Sequence, residues 1–216
     1  MTNFNVNASL FARVANAQST EETRFYLQGV SIEPAPHGLP GVTLTATDGT
    51  ALVTAYDAQG TVDAPVIVKA PAHVLKACKL WRNGTEPHLI GNDGTIAVID
   101  DKGDEQLARG TTVDGSFPDW KRVIPQDIGA GTGAVFSPVV MATLAKALIK
   151  GKQTGIDASG LIVRGIDALS AHLVWGDDSR MIGVAMPVRT PDVDERATLP
   201  QWASRTLLGK LLNQAA

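Results

Sequence analysis

The feature that most constrains the fold is an internal repeat that occurs three times. Each copy has a short strand, a helix and three further strands, and it occupies roughly 60 residues. The copies span residues 4–56, 64–115 and 134–189. In the first copy, FNVN precedes a run whose apolar residues Leu10 and Val14 have helical spacing. The repeat predicts an α+β fold built from three β-α-β-β-β units.

The helices of the second and third units carry boundary signals. PAHVLKACKLWRNG has Pro71 near its start and Gly84 at its end. SPVVMATLAKALIKG begins at Ser137, a candidate N-cap, and reaches Gly151. The segments predicted to be strands, which are broken by Gly and Pro, are FNVN, RFYLQGVSIEP, GVTLTATD, ALVTAY, PVIVKA, PHLIGN, TIAVIDD, QLARGTTV, AVF, TGIDASGLIV, ALSAHLVWG and MIGVAMPVR.

The charges are distributed unevenly along the chain. The formal net charge of −3 argues against nucleic-acid binding. However, the helical stretches 8–19, 70–84 and 137–153 contain none of the 22 Asp and Glu residues. Their cations are Arg13, Lys76, Lys79, Arg82, Lys146, Lys150 and Lys152. These faces are either ordinary solvated helix surface or a cationic surface that faces phosphates.

Several motifs favour a non-catalytic protein. The segment GAGTGA follows prolines, so a linker explains it better than a nucleotide-binding loop. The acidic residues Asp100, Asp101, Asp104 and Glu105 lack an EF-hand pattern, which favours a solvated hairpin over a cation site. The four histidines show no metal spacing, and no nucleophile is paired with a base. We therefore expect no enzyme activity, no metal and no cofactor.

The sequence also bears on cellular location. The single cysteine, Cys78, excludes an internal disulfide and is expected to be a buried apolar residue on a helix. The start MTNFNVNASL lacks the basic and apolar regions of a signal peptide. No run of 18 apolar residues is present to cross a membrane. We therefore expect a cytoplasmic protein.

Four stretches in order resemble a known family. TRFYLQGVSIEP, TLTATDGTALVTA, VDGSFPDWKRVIP and GVAMPVR are similar to segments of the bacterial DNA polymerase III β subunit, the sliding clamp. The resemblance covers most of residues 4–189. It implies antiparallel sheets outside, helices lining one face, and a ring that encloses duplex DNA without reading its sequence. It also implies an oligomer, a clamp loader that uses ATP, and a role as a polymerase processivity factor.

The resemblance further implies a peptide pocket. In the family, the connector, which VDGSFPDWKRVIP (113–125) resembles, forms an apolar pocket together with the ATDG turn and the MPVR strand. This pocket binds short peptides of polymerases and repair proteins. The matching residues are Leu27, Thr47, Gly49, Leu52, Pro118, Arg122, Val123, Ser170, Val184, Ala185, Met186, Pro187, Val188 and Arg189. A mostly apolar concave site suits such ligands, and a methionine adapts to several of them. Without the resemblance, core packing explains Leu27, Pro118 and Met186 better.

The implied DNA-facing residues include a loop as well as the helices. They are Arg13, Arg24, Tyr26, Lys76, Lys79, Arg82, Lys146, Lys150 and Lys152. Glu21 and Glu22 lie beside Arg24 and would repel phosphate. The chain also departs from the family at Thr50-Ala51, where a His-Arg pair is common, and at Trp120, where tyrosine is common.

The chain holds three units, whereas a clamp protomer of this family holds six. We therefore expect a complete clamp-like domain over 1–125, a half domain over 126–190 and a helical extension over 191–216. The extension has a leucine stripe that either packs on an exposed sheet, mediates oligomerisation or reaches into the pocket. A half domain exposes a sheet edge, which favours self-association. The alternative function is a clamp-derived interaction module or regulator that does not encircle DNA.

Overall fold

Three helices pack on two antiparallel sheets in the computed structural model, which describes residues 2–79, 86–92, 95–99, 105–109 (backbone only), 111–125, 134–150 and 160–189. The helices are α1 (Ala8–Val14), α2 (Ala72–Ala77) and α3 (Pro138–Leu148). The strands are β1 (Phe4–Asn7), β2 (Val30–Pro34), β3 (Val42–Thr47), β4 (Ala51–Asp57), β5 (Thr61–Val62), β6 (Val66–Lys69), β7 (His88–Asn92), β8 (Thr95–Ile99), β9 (Glu105–Arg109), β10 (Thr111–Thr112), β11 (Ile162–Arg164), β12 (His172–Trp175) and β13 (Met181–Ala185). This arrangement confirms the predicted α+β architecture.

Side chains at the helix starts explain where α1 and α3 begin. The Asn7 side chain accepts a hydrogen bond of 2.9 Å from the backbone N–H of Leu10. The Ser137 hydroxyl accepts one of 3.3 Å from Val139, and Pro138 occupies the first turn of α3. Both caps satisfy N–H groups that a helix leaves without an internal partner. The predicted N-cap at Ser137 is therefore confirmed.

The first two units exchange their first strands. Strand β1 of the first unit pairs antiparallel with β7 of the second unit. Strand β6 of the second unit pairs antiparallel with β2 of the first unit. The five-stranded sheet therefore has the order β5-β1-β7-β8-β9. The exchange ties the two units into one body, since each sheet contains strands of both.

The third unit joins the first unit edge to edge. Strand β13 pairs antiparallel with β4, with Met181 opposite Ala55 and Ala185 opposite Ala51. The result is an eight-stranded sheet of order β10-β6-β2-β3-β4-β13-β12-β11. Helix α3 packs closely on this sheet at Gly183 of β13. A Cβ atom at this position would lie only 2.7 Å from Cδ2 of Leu144.

One apolar core runs through all three units. It contains fully buried residues from α1, α2 and α3 together with residues of both sheets, including Phe11, Val74, Leu144 and Leu89. Cys78 lies in this core at the end of α2, as predicted, and burial raises the pKa of its thiol to about 12. The thiol is therefore protonated and chemically inert at neutral pH.

The structure corrects the prediction for Arg13, which was expected to face DNA. Its side chain is 8% exposed. The guanidinium donates hydrogen bonds to the carbonyl oxygens of Ala147 (2.8 Å) and Leu148 (3.0 Å) at the end of α3. It also forms an ion pair of 2.6 Å with Asp178. Arg13 thus fastens the third unit to the first, and the acid-free pattern of α1 gave no sign of this because its carboxylate lies 165 positions away.

The second unit joins the same charge network through Glu86. Arg180 donates to both carboxylate oxygens of Glu86, at 2.8 and 3.1 Å, and it also pairs with Asp178 at 3.0 Å. The ammonium of Lys150 lies 3.5 Å from Glu86. One charge network, linking Arg13, Glu86, Lys150, Asp178 and Arg180, therefore contacts all three units. We call it the inter-unit network.

The inter-unit network predicts a loss of stability in acid. Burial alone would raise the pKa of Asp178, but hydrogen bonds from Arg180 and Arg13 outweigh it and hold that pKa well below its usual range. The hydrogen bond from Arg180 likewise lowers the pKa of Glu86. Because both folded-state pKa values lie below the unfolded ones, their stabilisation is complete above about pH 5 and is lost as the pH falls through the folded pKa values.

We expect the free energy of unfolding, measured by urea denaturation, to be level between pH 7 and about pH 5 and to fall below that. Asp178→Asn should lower stability at pH 7 and make the decline toward pH 3 shallower. An equal decline in the variant and the original protein would contradict this assignment.

The structure differs from two of the predicted strands. Residues 24–27, the start of RFYLQGVSIEP, belong to 3-10 turns over Glu22–Leu27, in which the backbone N–H of Arg24 donates to the Glu21 carbonyl at 3.2 Å, and the strand begins only at Val30. Residues 134–136 lie in an extended connection that belongs to no sheet among the described residues. The predictions at GAGTGA up to residue 133, at the Asp100–Asp104 cluster and at the helix within 191–216 lie outside the described residues.

Within the described ranges, no helix is long and apolar enough to span a bilayer. The same ranges contain no group of three His, Cys, Asp or Glu residues that could hold a metal ion.

Candidate functional site

An apolar cavity of about 210 Å³ opens where the connector 113–125 crosses the junction of the first and third units. We call it the connector cavity. Its lining residues are Leu27, Thr47, Gly49, Thr50, Ala51, Leu52, Pro118, Asp119, Trp120, Val123, Val184 and Met186. They come from the 3-10 turns before β2, the β3–β4 hairpin, the connector and the end of β13. The cavity therefore depends on the β4–β13 pairing that joins the two units.

The β3–β4 hairpin forms one wall and is held by local hydrogen bonds. The Asp48 carboxylate accepts from the backbone N–H groups of Thr50 (2.7 Å) and Ala51 (2.8 Å). The Thr47 hydroxyl donates to the carbonyl of Ala51 at 2.7 Å. Gly49 has a backbone φ of +92°, a conformation that residues with a Cβ atom rarely adopt. The ATDG sequence thus builds a rigid turn.

Trp120 forms part of the floor of the cavity. It is 8% exposed and packs with Leu52, Leu173 and Val184 in an apolar cluster separate from the main core. The ammonium of Lys121 lies 5.6 Å from its ring centroid. The aromatic residue of the connector therefore holds the connector to the sheet and shapes the cavity at the same time.

Most of the residues predicted for the pocket line this cavity. Those that do are Leu27, Thr47, Gly49, Leu52, Pro118, Val123, Val184 and Met186. Ala185 is completely buried behind them. The structure brings together residues that are up to 159 positions apart in the sequence.

Besides Ala185, five predicted residues are not among those that line the cavity. The Arg122 side chain is 84% exposed and pairs with Asp119 at 3.0 Å. The hydroxyl of Ser170 is buried, and its backbone N–H donates to Asp167 at 2.8 Å. Pro187, Val188 and Arg189 follow the strand out of the site, and the Val188 N–H donates to the carbonyl of Val135. The match to a family motif does not by itself distinguish these residues from the ones that line the cavity.

Four lining residues were not predicted for the pocket: Thr50, Ala51, Asp119 and Trp120. Thr50 and Ala51 had been noted only as departures from the family pattern, and Trp120 as a replacement for tyrosine. Each lies within two positions of a predicted residue, so the available signal was the tight backbone of the hairpin and of the 3-10 turn at 120–123.

A second concave surface lies where the three helices meet. It has a volume of about 520 Å³ and is lined by Ser9, Arg13, Asn16, Lys79, Lys146, Ile149 and Lys150. We call it the helix groove. Lys79, Lys146 and Lys150 are exposed, whereas Arg13 is buried beneath them and already paired. Cations that are up to 71 positions apart in the sequence therefore converge on one surface.

The other predicted DNA-facing residues lie elsewhere or outside the described part. Lys76 is exposed on α2 but is not among the lining residues of the helix groove. Arg24 pairs with Glu21 at 3.1 Å and donates to the carbonyl of Asp48, so it lies against the β3–β4 hairpin. Tyr26 is half-buried and stacks edge to face on Phe25. The predictions for Arg82 and Lys152 fall outside the described residues.

Solved structures of sliding clamps share this architecture. The DnaN sliding clamp (DNA polymerase III subunit beta) of Bartonella birtlesii, bound to griselimycin, superposes with a TM-score of 0.62 and 18% identity over 87% of this chain and 66% of that one. The chain has the sliding-clamp fold. The clamp of Bacillus subtilis gives a TM-score of 0.55 at 16% identity, covering 87% of this chain and 64% of that one.

A third clamp structure of this fold holds a peptide. The Helicobacter pylori β clamp bound to a DNA ligase peptide has a TM-score of 0.56 and 12% identity, covering 88% of this chain and 66% of that one. This chain therefore spans just under two thirds of the length of the clamps it matches. No family model and no curated protein matches the sequence.

Proposed function

We propose that this protein is a sliding-clamp-like processivity factor that encircles duplex DNA as an oligomer. It tethers replication or repair proteins through the connector cavity and performs no catalysis. The observation that carries the proposal is that Lys79 of the second unit and Lys146 and Lys150 of the third unit converge on one groove beside α1 within a clamp fold. A protein of this kind is loaded by an ATP-dependent clamp loader in the cytoplasm, as the resemblance implies.

The helix groove suits phosphates rather than bases. Lysine ammonium groups on exposed helix ends neutralise phosphates without reading sequence. The three exposed lysines around the helix groove, which has a volume of about 520 Å³, produce a local positive field, although the whole chain carries a charge of −3. Glu86 lies 3.5 Å from Lys150 and reduces this field at one end. We therefore assign most of the phosphate binding to Lys79 and Lys146.

The connector cavity suits an apolar peptide segment. Its walls are mostly aliphatic, and Val123 (42%) and Met186 (44%) are exposed large apolar residues at its mouth. Such a concave, preformed site binds apolar side chains with a few polar contacts for orientation. Support comes from the Helicobacter pylori clamp, whose structure contains a DNA ligase peptide.

The groove assignment is tested by salt-dependent DNA binding. Lys79→Gln and Lys146→Gln should each weaken binding to a duplex and reduce the slope of log K against log salt by about 0.9. Lys69→Gln is the matched control, because Lys69 is exposed on β6 and does not line the groove. Unchanged affinity and slope in both groove variants would refute this assignment.

The alternative function is a clamp-derived interaction module that does not encircle DNA. One observation favours it: the cavity lining contains Thr50, Ala51 and the carboxylate of Asp119 but no Lys or Arg. Ligands that need a Lys or Arg side chain at the cavity would therefore bind this chain less well than they bind a clamp with a His-Arg pair at this turn. Solution mass distinguishes the two functions, since a strict monomer cannot form a ring.

A further inference from the structure

We propose that two copies of this chain complete their third units by exchanging residues 134–136, which add as a strand to β11 of the other copy. The partner is a second copy of the same chain, related by a two-fold axis. This interface is inferred from the repeat itself and does not depend on DNA binding or on the connector cavity.

The first two units show how a unit of this fold is completed. In each, the segment just before the helix is flanked on both sides. One neighbour is a short segment that follows the last strand of the same unit: β5 beside β1, and β10 beside β6. The other neighbour is the second strand of the opposite unit: β7 beside β1, and β2 beside β6. Completion of one unit therefore requires the second.

The third unit has the first of these neighbours in place. Residues 134–136 lie immediately before α3, as β1 does before α1. The Val188 N–H, just after β13, donates to the Val135 carbonyl at 2.7 Å. The equivalent bonds in the other units run from Asp63 to Asn3 (3.1 Å) and from Val113 to Ile67 (2.9 Å). The segment is therefore already held where a first strand belongs.

Helix α3 and its sheet fix this segment from the other side. Phe136 stacks edge to face on the buried ring of His172, with centroids 5.0 Å apart. Ser137 then caps α3. Because Val135 and Phe136 are positioned by their own unit, little further ordering is needed for a second copy to pair with this segment.

The described residues of the chain provide no second neighbour for the third unit. Strand β11 takes the place that β2 and β7 take in the other units, yet among the described strands it pairs only with β12. It is therefore the edge of the eight-stranded sheet. Its Ile162 is 57% exposed, whereas Ile32 of β2 and Leu89 of β7 are fully buried. An exposed apolar edge is a template for pairing with another strand.

Exposed apolar side chains gather around this edge. Ile162 (57%), Ile166 (48%) and Leu169 (60%) follow one another along β11 and the loop after it. Elsewhere in the third unit, Val139 at the start of α3 is 73% exposed. In the first two units, the exposed large apolar residues in the described part are only Phe25 and Leu39. The unit without an internal partner is thus the one that leaves apolar surface open.

A second copy covers both edges at once. Under a two-fold axis, residues 134–136 of each chain pair with β11 of the other, so the contact is self-complementary. The pairing is antiparallel, as it is for β1 with β7 and for β6 with β2. Two chains then contain six units arranged as three completed pairs. Residues 190–216 of the same chain are the alternative occupant of the β11 edge. A monomeric chain in solution would favour these residues over a second copy.

Disulfide trapping in the full chain tests the pairing directly. Paired strands bring Cα atoms to about 4.5–5.5 Å, which a disulfide can bridge. We expect Val135→Cys combined with a cysteine at one of Ile162, Val163 or Arg164 to give a covalent dimer under mild oxidation. The control pairs Val135→Cys with Leu39→Cys, because Leu39 is exposed (54%) and lies on the first unit. Native Cys78 is buried and remains in both.

Solution mass completes the test. We expect the original chain to have at least twice its monomer mass of 22.7 kDa at micromolar concentration. Ile162→Lys with Ile166→Lys should lower that mass with an unchanged circular dichroism spectrum, while Leu39→Lys leaves the mass unaltered. The inference is overturned by a monomeric original chain, by a double lysine variant of unaltered mass, or by dimer bands no stronger than in the Leu39 control.

Discussion

Replacing Arg13 with alanine is expected to lower the free energy of unfolding by about 3 kcal/mol, an effect typical of removing one partner from a buried ion pair. The guanidinium is 8% exposed and makes four contacts that join α1 to the third unit. Its removal takes one donor from the carbonyl of Ala147 and one from that of Leu148, which then keeps only the longer bond of 3.3 Å from the Asp177 N–H among those of the described residues. Urea denaturation at pH 7 measures the effect.

Two variants control this prediction. Arg122→Ala removes an arginine whose side chain is 84% exposed and whose ion pair with Asp119 lies at the surface. Surface pairs contribute about 0–1 kcal/mol, so this variant should unfold almost as the original chain does. Arg13→Met keeps apolar volume without charge and should be nearly as destabilising as alanine if the hydrogen bonds dominate. Equal stability of Arg13→Ala and Arg122→Ala would disprove the role given to Arg13.

Replacing Met186 with aspartate is expected to weaken peptide binding tenfold or more, which corresponds to about 1.4 kcal/mol. Met186 lies at the mouth of the connector cavity and is 44% exposed, so the folded chain tolerates the charge there. A bound apolar side chain, however, would have to desolvate the new carboxylate. Val123→Asp, in the connector and 42% exposed, should act in the same direction.

The probe is a fluorescent copy of the DNA ligase peptide found in the Helicobacter pylori clamp structure, titrated by anisotropy. Leu39→Asp is the control, because Leu39 lies at the far end of β3 from the cavity and is equally exposed. If Met186→Asp, Val123→Asp and Leu39→Asp bind the peptide alike, the cavity is not the peptide site. Absence of binding by the original chain would argue against a tethering function for this peptide class.

The sequence was informative where the determinants are local. The periodicity of Leu10 and Val14, the cap at Ser137 and the glycines and prolines between strands placed the helices and most strands, because each depends on neighbours within a few positions. The resemblance added the hairpin and connector residues that line the cavity. These residues share short motifs whose backbone geometry is built into the sequence, as at Gly49.

The sequence was uninformative where partners are distant. No residue close to Arg13 in the sequence indicates that Asp178 neutralises it. The sequence therefore predicts a DNA contact where the structure has a buried ion pair between units. The exchange of β1 and β6 between units likewise depends on strand pairing across more than 30 positions. Residues 22–27 have strand-like composition, yet turns stabilised by Glu21 and Phe25 carbonyls direct Leu27 into the cavity instead.

The most direct test of the central claim is whether the protein is linked topologically to DNA. The protein is loaded on nicked circular plasmid with a clamp loader and ATP and passed through a sizing column at moderate salt, where contacts to phosphates alone are weak. We predict that it stays with the circle and is released when a restriction enzyme linearises the plasmid. Equal loss from circular and linear DNA would contradict encirclement.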